Sequence, residues 1–349
     1  MITKQGFESL YGNTGISNTF FQKNKEVDLK ELSKQSISLC EKWENYYCDN
    51  SSDINFKLTD DMKFVYKTTE GTVRTSDITE FAFSQLCTRL GVPAGYINKC
   101  FDFGKGDLAI TNFRAWANDC DKKLLVREQN GVVRAVLSDT YVPFDSHRII
   151  RTLQNSVDTG KYKANDVYLS EDRMNLRFVN REPMDVTGEK SPIYSGFTVS
   201  SSDVGRGGLT VNYYIFRLVC NNGMTVTEKG GNLFRQTHIG SKMSDGKVEA
   251  FNRLYKDIDI IDNLALDSIR YNQEVFLKDY EMQMYLEKAK RELKLSEKGY
   301  EKLVSIIDLN YGHTRWGVLN GVTELAQEYT LDKRIEFETF AGNTMINVA

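Results

Sequence analysis

Only four prolines and three histidines occur in 349 residues. No stretch approaches the ~18 unbroken apolar residues that a membrane-crossing helix needs, so no membrane is expected among the partners. Six cysteines (Cys40, Cys48, Cys87, Cys100, Cys120 and Cys220) are scattered, and no two form a Cys-x-x-Cys pair. In a chain this long they read as small buried hydrophobes in a reducing compartment. The opening residues, Met1 to Gly6, run into polar sequence and lack the apolar core of a secretory signal. The expected location is the cytoplasm.

The motifs of common catalysts are also missing. No Gly-x-x-x-x-Gly-Lys-Ser/Thr loop, helix-opening Gly-x-Gly-x-x-Gly or Gly-x-Ser-x-Gly occurs. His147, His238 and His313 are far apart and lack zinc-type spacing. Asp60-Asp61 and Glu171-Asp172 are adjacent pairs, and sequence neighbours point apart, which disfavours two-metal chemistry there. No catalytic residue, metal ligand or cofactor is assigned.

What is present is ordinary globular composition, 40% hydrophobic and 27% charged, with a net charge of −3. That charge is uneven. Residues 122–242 carry 17 Lys and Arg against 12 Asp and Glu, whereas the segments on either side are net acidic. A basic middle in an acidic protein can offer phosphate a local surface whatever the total charge.

The patterning predicts an α+β fold, with a helical N-terminal part and a central antiparallel or mixed sheet. Long C-terminal helices are expected to pack on that sheet. The expected divisions are an N-terminal helical extension over 1–52, a helical hairpin over 53–121, a basic sheet region over 122–242 and a helical region over 243–349, with 53–349 forming one compact unit. Asp28 is the expected cap of a helix over 29–47. Strands at 63–67 and 72–74 flank Glu70-Gly71. Asp77-x-x-Glu80 opens a helix that Gly91 stops, and Pro93 begins a second one. That pair resembles a helix-turn-helix, but 94–99 is short and poor in groove-reading side chains, which favours a packed hairpin.

Asn130-Gly131 marks a two-residue hairpin between 122–127 and 132–138. Asp145 is expected to cap a helix over 148–154. Strand pairs follow at 167–170 with 175–180, and at 194–200 with 209–219, giving six strands in the central region. From 246 onward the apolar spacing is helical through Phe251, Leu254, Ile258, Ile261 and Leu264, with Ser296 opening a further helix and 316–329 another.

Three central patches have binding chemistry. In 133–145, Arg134 and Tyr141 flank a polar turn, and Arg148 and Arg151 lie on the helix after it. In 200–208, glycines free backbone N–H groups to face an anion and Arg206 adds a charged fork. In 212–224, Tyr213, Tyr214 and Arg217 alternate along a strand, where rings on an open face can stack on bases. Arg235, His238 and Lys242 continue the basic character.

These patches also resemble the blocks of the phage/plasmid-like family of uncharacterised domains (domain of unknown function 932). The resemblance rests on 134–141, 202–207, 216–224 and 235–240, with 320–324 and 340–342 near the end, and spans roughly 75–345. It implies a mobile-element setting and no transferable catalytic residue. The leading expectation is non-enzymatic binding of single-stranded DNA or RNA in replication or recombination of such an element. Phosphates would meet Arg134, Arg206, Arg217, Arg235 and Lys242, and bases would stack on Tyr141, Tyr213 or Tyr214. The alternatives are a protein-interaction factor acting on a host protein and an unrecognised metal-dependent nuclease or nucleotide-modifying enzyme. Self-association through the C-terminal helices is a further expectation.

Overall fold

A computed structural model describes residues 20–22, 26–40, 43–58, 62–170, 172–189, 191–218, 222–228, 231–238 and 248–347. It is an α+β fold built on two sheets. The first part runs β1 (Phe20–Gln22), α1 (Leu29–Cys40), β2 (Trp43–Cys48), β3 (Ile54–Leu58), β4 (Met62–Lys67) and β5 (Val73–Ile78). Three helices follow, α2 (Glu80–Leu90), α3 (Ala94–Asp102) and α4 (Gly106–Asp119), then the hairpin β6 (Leu124–Gln129) and β7 (Val132–Ser138). Next come α5 (Ser146–Ser156), β8 (Tyr162–Leu169), β9 (Met174–Asn180), β10 (Ile193–Ser201), β11 (Leu209–Arg217), β12 (Asn222–Val226) and β13 (Asn232–Gln236). The helices α6 (Val248–Glu274), α7 (Asp279–Glu292), α8 (Glu297–Ile306), α9 (Arg315–Leu325) and α10 (Leu331–Ile346) complete the described chain.

One sheet has six strands in the order β2-β6-β7-β5-β4-β3, with β5 and β7 parallel and the other neighbours antiparallel. The other has seven antiparallel strands ordered β1-β8-β9-β10-β11-β12, and β13 shares the β11 edge with β12. Local chemistry explains much of this. Asn130 and Gly131 both have positive φ (53° and 77°), as a type I′ hairpin turn requires. Gly91 closes α2 in the left-handed conformation.

Several elements depart from expectation. The helix begun at Leu29 ends at Cys40, and Trp43–Cys48 is a strand along β6, as its aromatic residues favour. Thr79, not Asp77, caps α2 by accepting from the Ala82 N–H; the Asp77 carboxylate pairs with Lys63 at 2.6 Å. Asp145 precedes α5 but provides no side-chain cap, because its carboxylate is taken by Arg127 at 2.7 Å. Asp203 does that work from another strand end, accepting from the Ser146 N–H at 3.0 Å and its hydroxyl at 2.8 Å. The described residues of 122–242 hold eight strands instead of six, since β12 and β13 are short and set among Asn and Gly.

Each sheet has its own apolar core. One face of the seven-stranded sheet presents Leu176, Phe178, Phe197, Val199, Val211 and Tyr213 to α1, α5 and the C-terminal helices. Under the six-stranded sheet, Phe56 meets Phe64, Phe83 and Phe113 at ring separations of 5.5, 5.6 and 4.7 Å. Burying each such side chain stabilises the fold by roughly 1.5–3 kcal/mol. Cys48 and Cys87 lie in this second core as free thiols, pushed up to about 12 by burial, far from reactive thiolates.

Arg127 ties the sheets together. Its guanidinium lies over the Trp43 ring at 4.4 Å and donates to Asn45 Oδ1 at 2.9 Å, to the Asp145 carboxylate and to the Asp203 carbonyl. Beside it, Val204 from the β10–β11 connection packs with Leu125, Ala135, Leu137 and Tyr141. The connection is thereby anchored on one side, leaving its other side to form a wall. Among the described residues no helix is long and apolar enough to cross a membrane.

Candidate functional site

The second face of the seven-stranded sheet is polar where the first is apolar. Antiparallel register lines its side chains into two rows. Arg177, Thr198, Asn212 and Asn232 are successive cross-strand partners from β9 to β13, and so are Asn175, Ser200, Thr210 and Arg235. Over these rows lies a bay of about 430 Å³. The β10–β11 connection walls it with Ser202, Arg206, Gly207 and Gly208, and α10 contributes Ile335 and Thr339. Close approach shapes that wall: a Cβ on Gly208 would lie 2.3 Å from the Gln236 carbonyl oxygen.

Among the described residues, four arginines line the bay (Arg173, Arg177, Arg206 and Arg235), and no carboxylate does. Carboxylates stand behind three of them. Arg206 Nε meets Asp172 at 2.9 Å and its guanidinium lies 4.3 Å from the Phe81 ring centre. Arg173 pairs with Asp332. Arg177 is buried in a cluster with Glu338 at 2.5 Å and Asp166 at 3.2 Å, and Arg334 bridges the same two acids at 2.8 and 3.5 Å. Burial opposes the Arg177 charge, but Glu338, Tyr214 and Asp166 outweigh it and its net shift is upward. Arg235 is exposed and forms no ion pair among the described residues.

Among the described residues, two buried atoms on the floor have no hydrogen-bond partner, Asn212 Oδ1 and Arg177 Nε, on residues only 9% and 1% exposed. A buried polar atom left unpaired costs about 1–3 kcal/mol, so most native groups of this kind are satisfied. The bay thus offers cations at its rim and, shielded from solvent within its floor, an unpaired acceptor and donor.

Of the residues expected to bind, the structure brings Arg206 and Arg235 together at the bay. Lys242 lies outside the described residues. Arg134 is 3% exposed, at a bulge where β7 slips register against β6, so it presents no charge to solvent. The rings of Tyr141, Tyr213 and Tyr214 are all buried, and none can stack on a base in this fold. Tyr141 donates to the Ser202 carbonyl at 3.2 Å and stacks on His238 at 5.0 Å. Tyr213 donates to Asp262 of α6 at 2.8 Å, and Tyr214 lies beneath Arg177 at 5.3 Å. His238 is buried behind the wall, 3.5 Å from the hydroxyl of bay-lining Ser201. Arg217 pairs with Glu189 at 3.0 Å, about 17 Å from Asn212 along β11. Arg148 and Arg151 are exposed on α5, whose Ile149, Ile150 and Leu153 pack in the core on the sheet's other face.

Arg173 and Arg177, with the Asn and Thr rows, escaped the sequence reading. The available signal was alternation within Met174–Asn180, where Asn175 and Arg177 interleave with Met174, Leu176 and Phe178. A strand with one polar and one apolar face predicts that something polar meets the former.

A family model described as a domain of unknown function (DUF932) matches residues 133–343. The chain belongs to this family. The matched segment is shorter than the 75–345 span of the sequence blocks, and it contains every residue that lines the bay. In DUF932 terms the site is therefore internal to the family's own segment, while β2 to β6 and α2 to α4 precede it. No curated protein and no solved structure gives a significant match. Among the described residues no three His, Cys, Asp or Glu side chains group to hold a metal.

Proposed function

We propose that this protein binds single-stranded nucleic acid through phosphate seated in the arginine-lined bay, in the replication or recombination of a phage, plasmid or integrated element. The observation that carries this reading is the lining itself: among the described residues, four arginines, no carboxylate, and hydroxyl and amide groups between them. Arginine forks suit phosphate oxygens bidentately, and hydroxyls add neutral donors. A recess walled by α10 and a loop accepts a strand or strand end more readily than a rigid duplex. The mobile-element setting rests on the blocks noted in the sequence.

Anisotropy of a labelled 30-nucleotide single strand, set against its duplex at low and physiological salt, tests the proposal. Salt-sensitive binding that favours the single strand supports it, and no binding at low salt overturns it.

A second reading, a protein-interaction surface, draws on exposed apolar side chains at the α6–α7 turn and along α7. Phe276, Tyr280 and Met284 are 78%, 60% and 67% exposed. Four-residue spacing puts Tyr280 and Met284 on one side of α7. Sedimentation and capture from nuclease-treated host lysate distinguish self-association from a host partner.

A further inference from the structure

We infer that the bay is a single-nucleotide pocket, taking one nucleotide of the strand turned out of its stack. Its phosphate would sit at Arg235 and Arg206, with its sugar and base edge on Asn175, Thr198 and Asn212. The inference rests on the proposed strand binding and specifies what the site holds.

Three observations converge on it. The first is size: about 430 Å³ lies within the ~300–1,000 Å³ range of pockets that enclose one small ligand. The second is charge. Arg173, Arg177 and Arg206 each have a carboxylate partner, and Arg235 forms no ion pair among the described residues. One uncompensated cation matches one phosphate and falls short of a polyphosphate.

The third is the floor. Asn212 is nine-tenths buried and lines the bay, yet its Oδ1 has no partner among the described residues. Arg177, on the far side of Thr198, has both Nη atoms committed to Glu338 and Asp166, and its Nε is unpartnered among the described residues. A sugar hydroxyl or base edge would meet the Asn175, Thr198 and Asn212 side chains that line the floor, and a small turn of the Asn212 amide would bring its unpaired oxygen to it. Inorganic phosphate has no base edge to offer these amide and hydroxyl groups.

Two properties follow. A base must leave its stack to enter, which by itself favours single strands over duplex. Among the described residues no aromatic side chain lines the bay, so the base is held by hydrogen bonds and the site discriminates between bases, unlike sequence-tolerant stacking platforms.

The test uses the full chain and a labelled single strand, competed separately by AMP, GMP, CMP, UMP and inorganic phosphate, with direct calorimetric titration of each nucleotide. The expected result is that at least one monophosphate competes at a tenfold or lower concentration than phosphate, and that the four differ. Asn212→Ala is expected to weaken that nucleotide at least fivefold with an unchanged melting curve; Asn175→Ala serves the same purpose if Asn212→Ala unfolds the protein. Strand binding with all four nucleotides no better than phosphate overturns the single-nucleotide pocket and leaves strand binding standing. Nucleotide binding without strand binding supports the pocket and removes the proposed function. Neither binding overturns both.

Discussion

Arg177 keeps a full positive charge inside the protein because Glu338 and Asp166 surround it, with Arg334 balancing the second negative charge. Removing one member of such a buried cluster leaves the rest uncompensated, which costs roughly 3–5 kcal/mol. Arg177→Leu is therefore expected to lower unfolding stability by about that amount in urea titration; a loss below ~1 kcal/mol would show that the cluster relaxes or admits water.

Asp203 behaves differently. Burial, then the nearby Asp145 carboxylate, raises it from 3.8 to about 7 against the opposing pull of Arg127 and the Ser146 hydrogen bonds. The folded state thus binds this proton more tightly than the unfolded chain does. Its contribution to stability is full below pH ~4, falls as pH rises towards ~7, and is level above that. The wild-type stability minus that of Asp203→Asn should trace this fall, on the order of 2–4 kcal/mol, and a flat difference across pH 4–8 would contradict it.

At this scale Arg206 and Arg235 were legible in the sequence because glycine loops and basic runs mark themselves. Arg134, Tyr213 and Tyr214 were not, since a strand's alternation does not say which faces are covered. Tyr213 is covered by the core and Tyr214 by the Arg177 cluster beneath α10.

Among the elements, β13 is held against β11 at a close approach that admits only glycine. The Cβ of Gly208→Ala would fall 2.3 Å from the Gln236 carbonyl, so β13 must shift, taking Arg235 with it. This substitution is expected to weaken strand binding severalfold, more than Gly207→Ala, whose Cβ would meet nothing within 4 Å. Equal affinities in the two variants, measured by anisotropy, would separate Arg235 from binding.

Elements with local grammar were readable. Asn130-Gly131 and Gly91 sit where a positive φ is needed, and β7, β9, β10 and α2 follow. Elements fixed by distant partners were not: β2 is a strand because β6 lies beside it, and β12 because β11 does. The cap on α5 comes from Asp203, 57 residues beyond Ser146, and no local pattern announces such a cap.

For the molecule as a whole, the α+β class and the helical C-terminal region were legible from period and composition. The division into two sheets was not, because it depends on β2 crossing to β6 and on the parallel β5–β7 pairing. The DUF932 match opens inside β7, whose two neighbours, β5 and β6, precede it. A fragment beginning at 133 would leave β7 without either partner and expose Val133 and Val136, which are buried in the full chain. Such a fragment is expected to aggregate or unfold without a cooperative transition, and a sharp calorimetric transition would instead show that the family segment is self-sufficient.

The most direct measurement of function is the salt dependence of single-strand affinity for the wild type and for the double variant Arg206→Ala/Arg235→Ala. Seating phosphate in the bay predicts weaker binding in the variant and a log–log salt slope shallower by about 0.7 for each phosphate no longer neutralised. Wild-type affinity and slope in a folded variant would place binding elsewhere or remove it altogether.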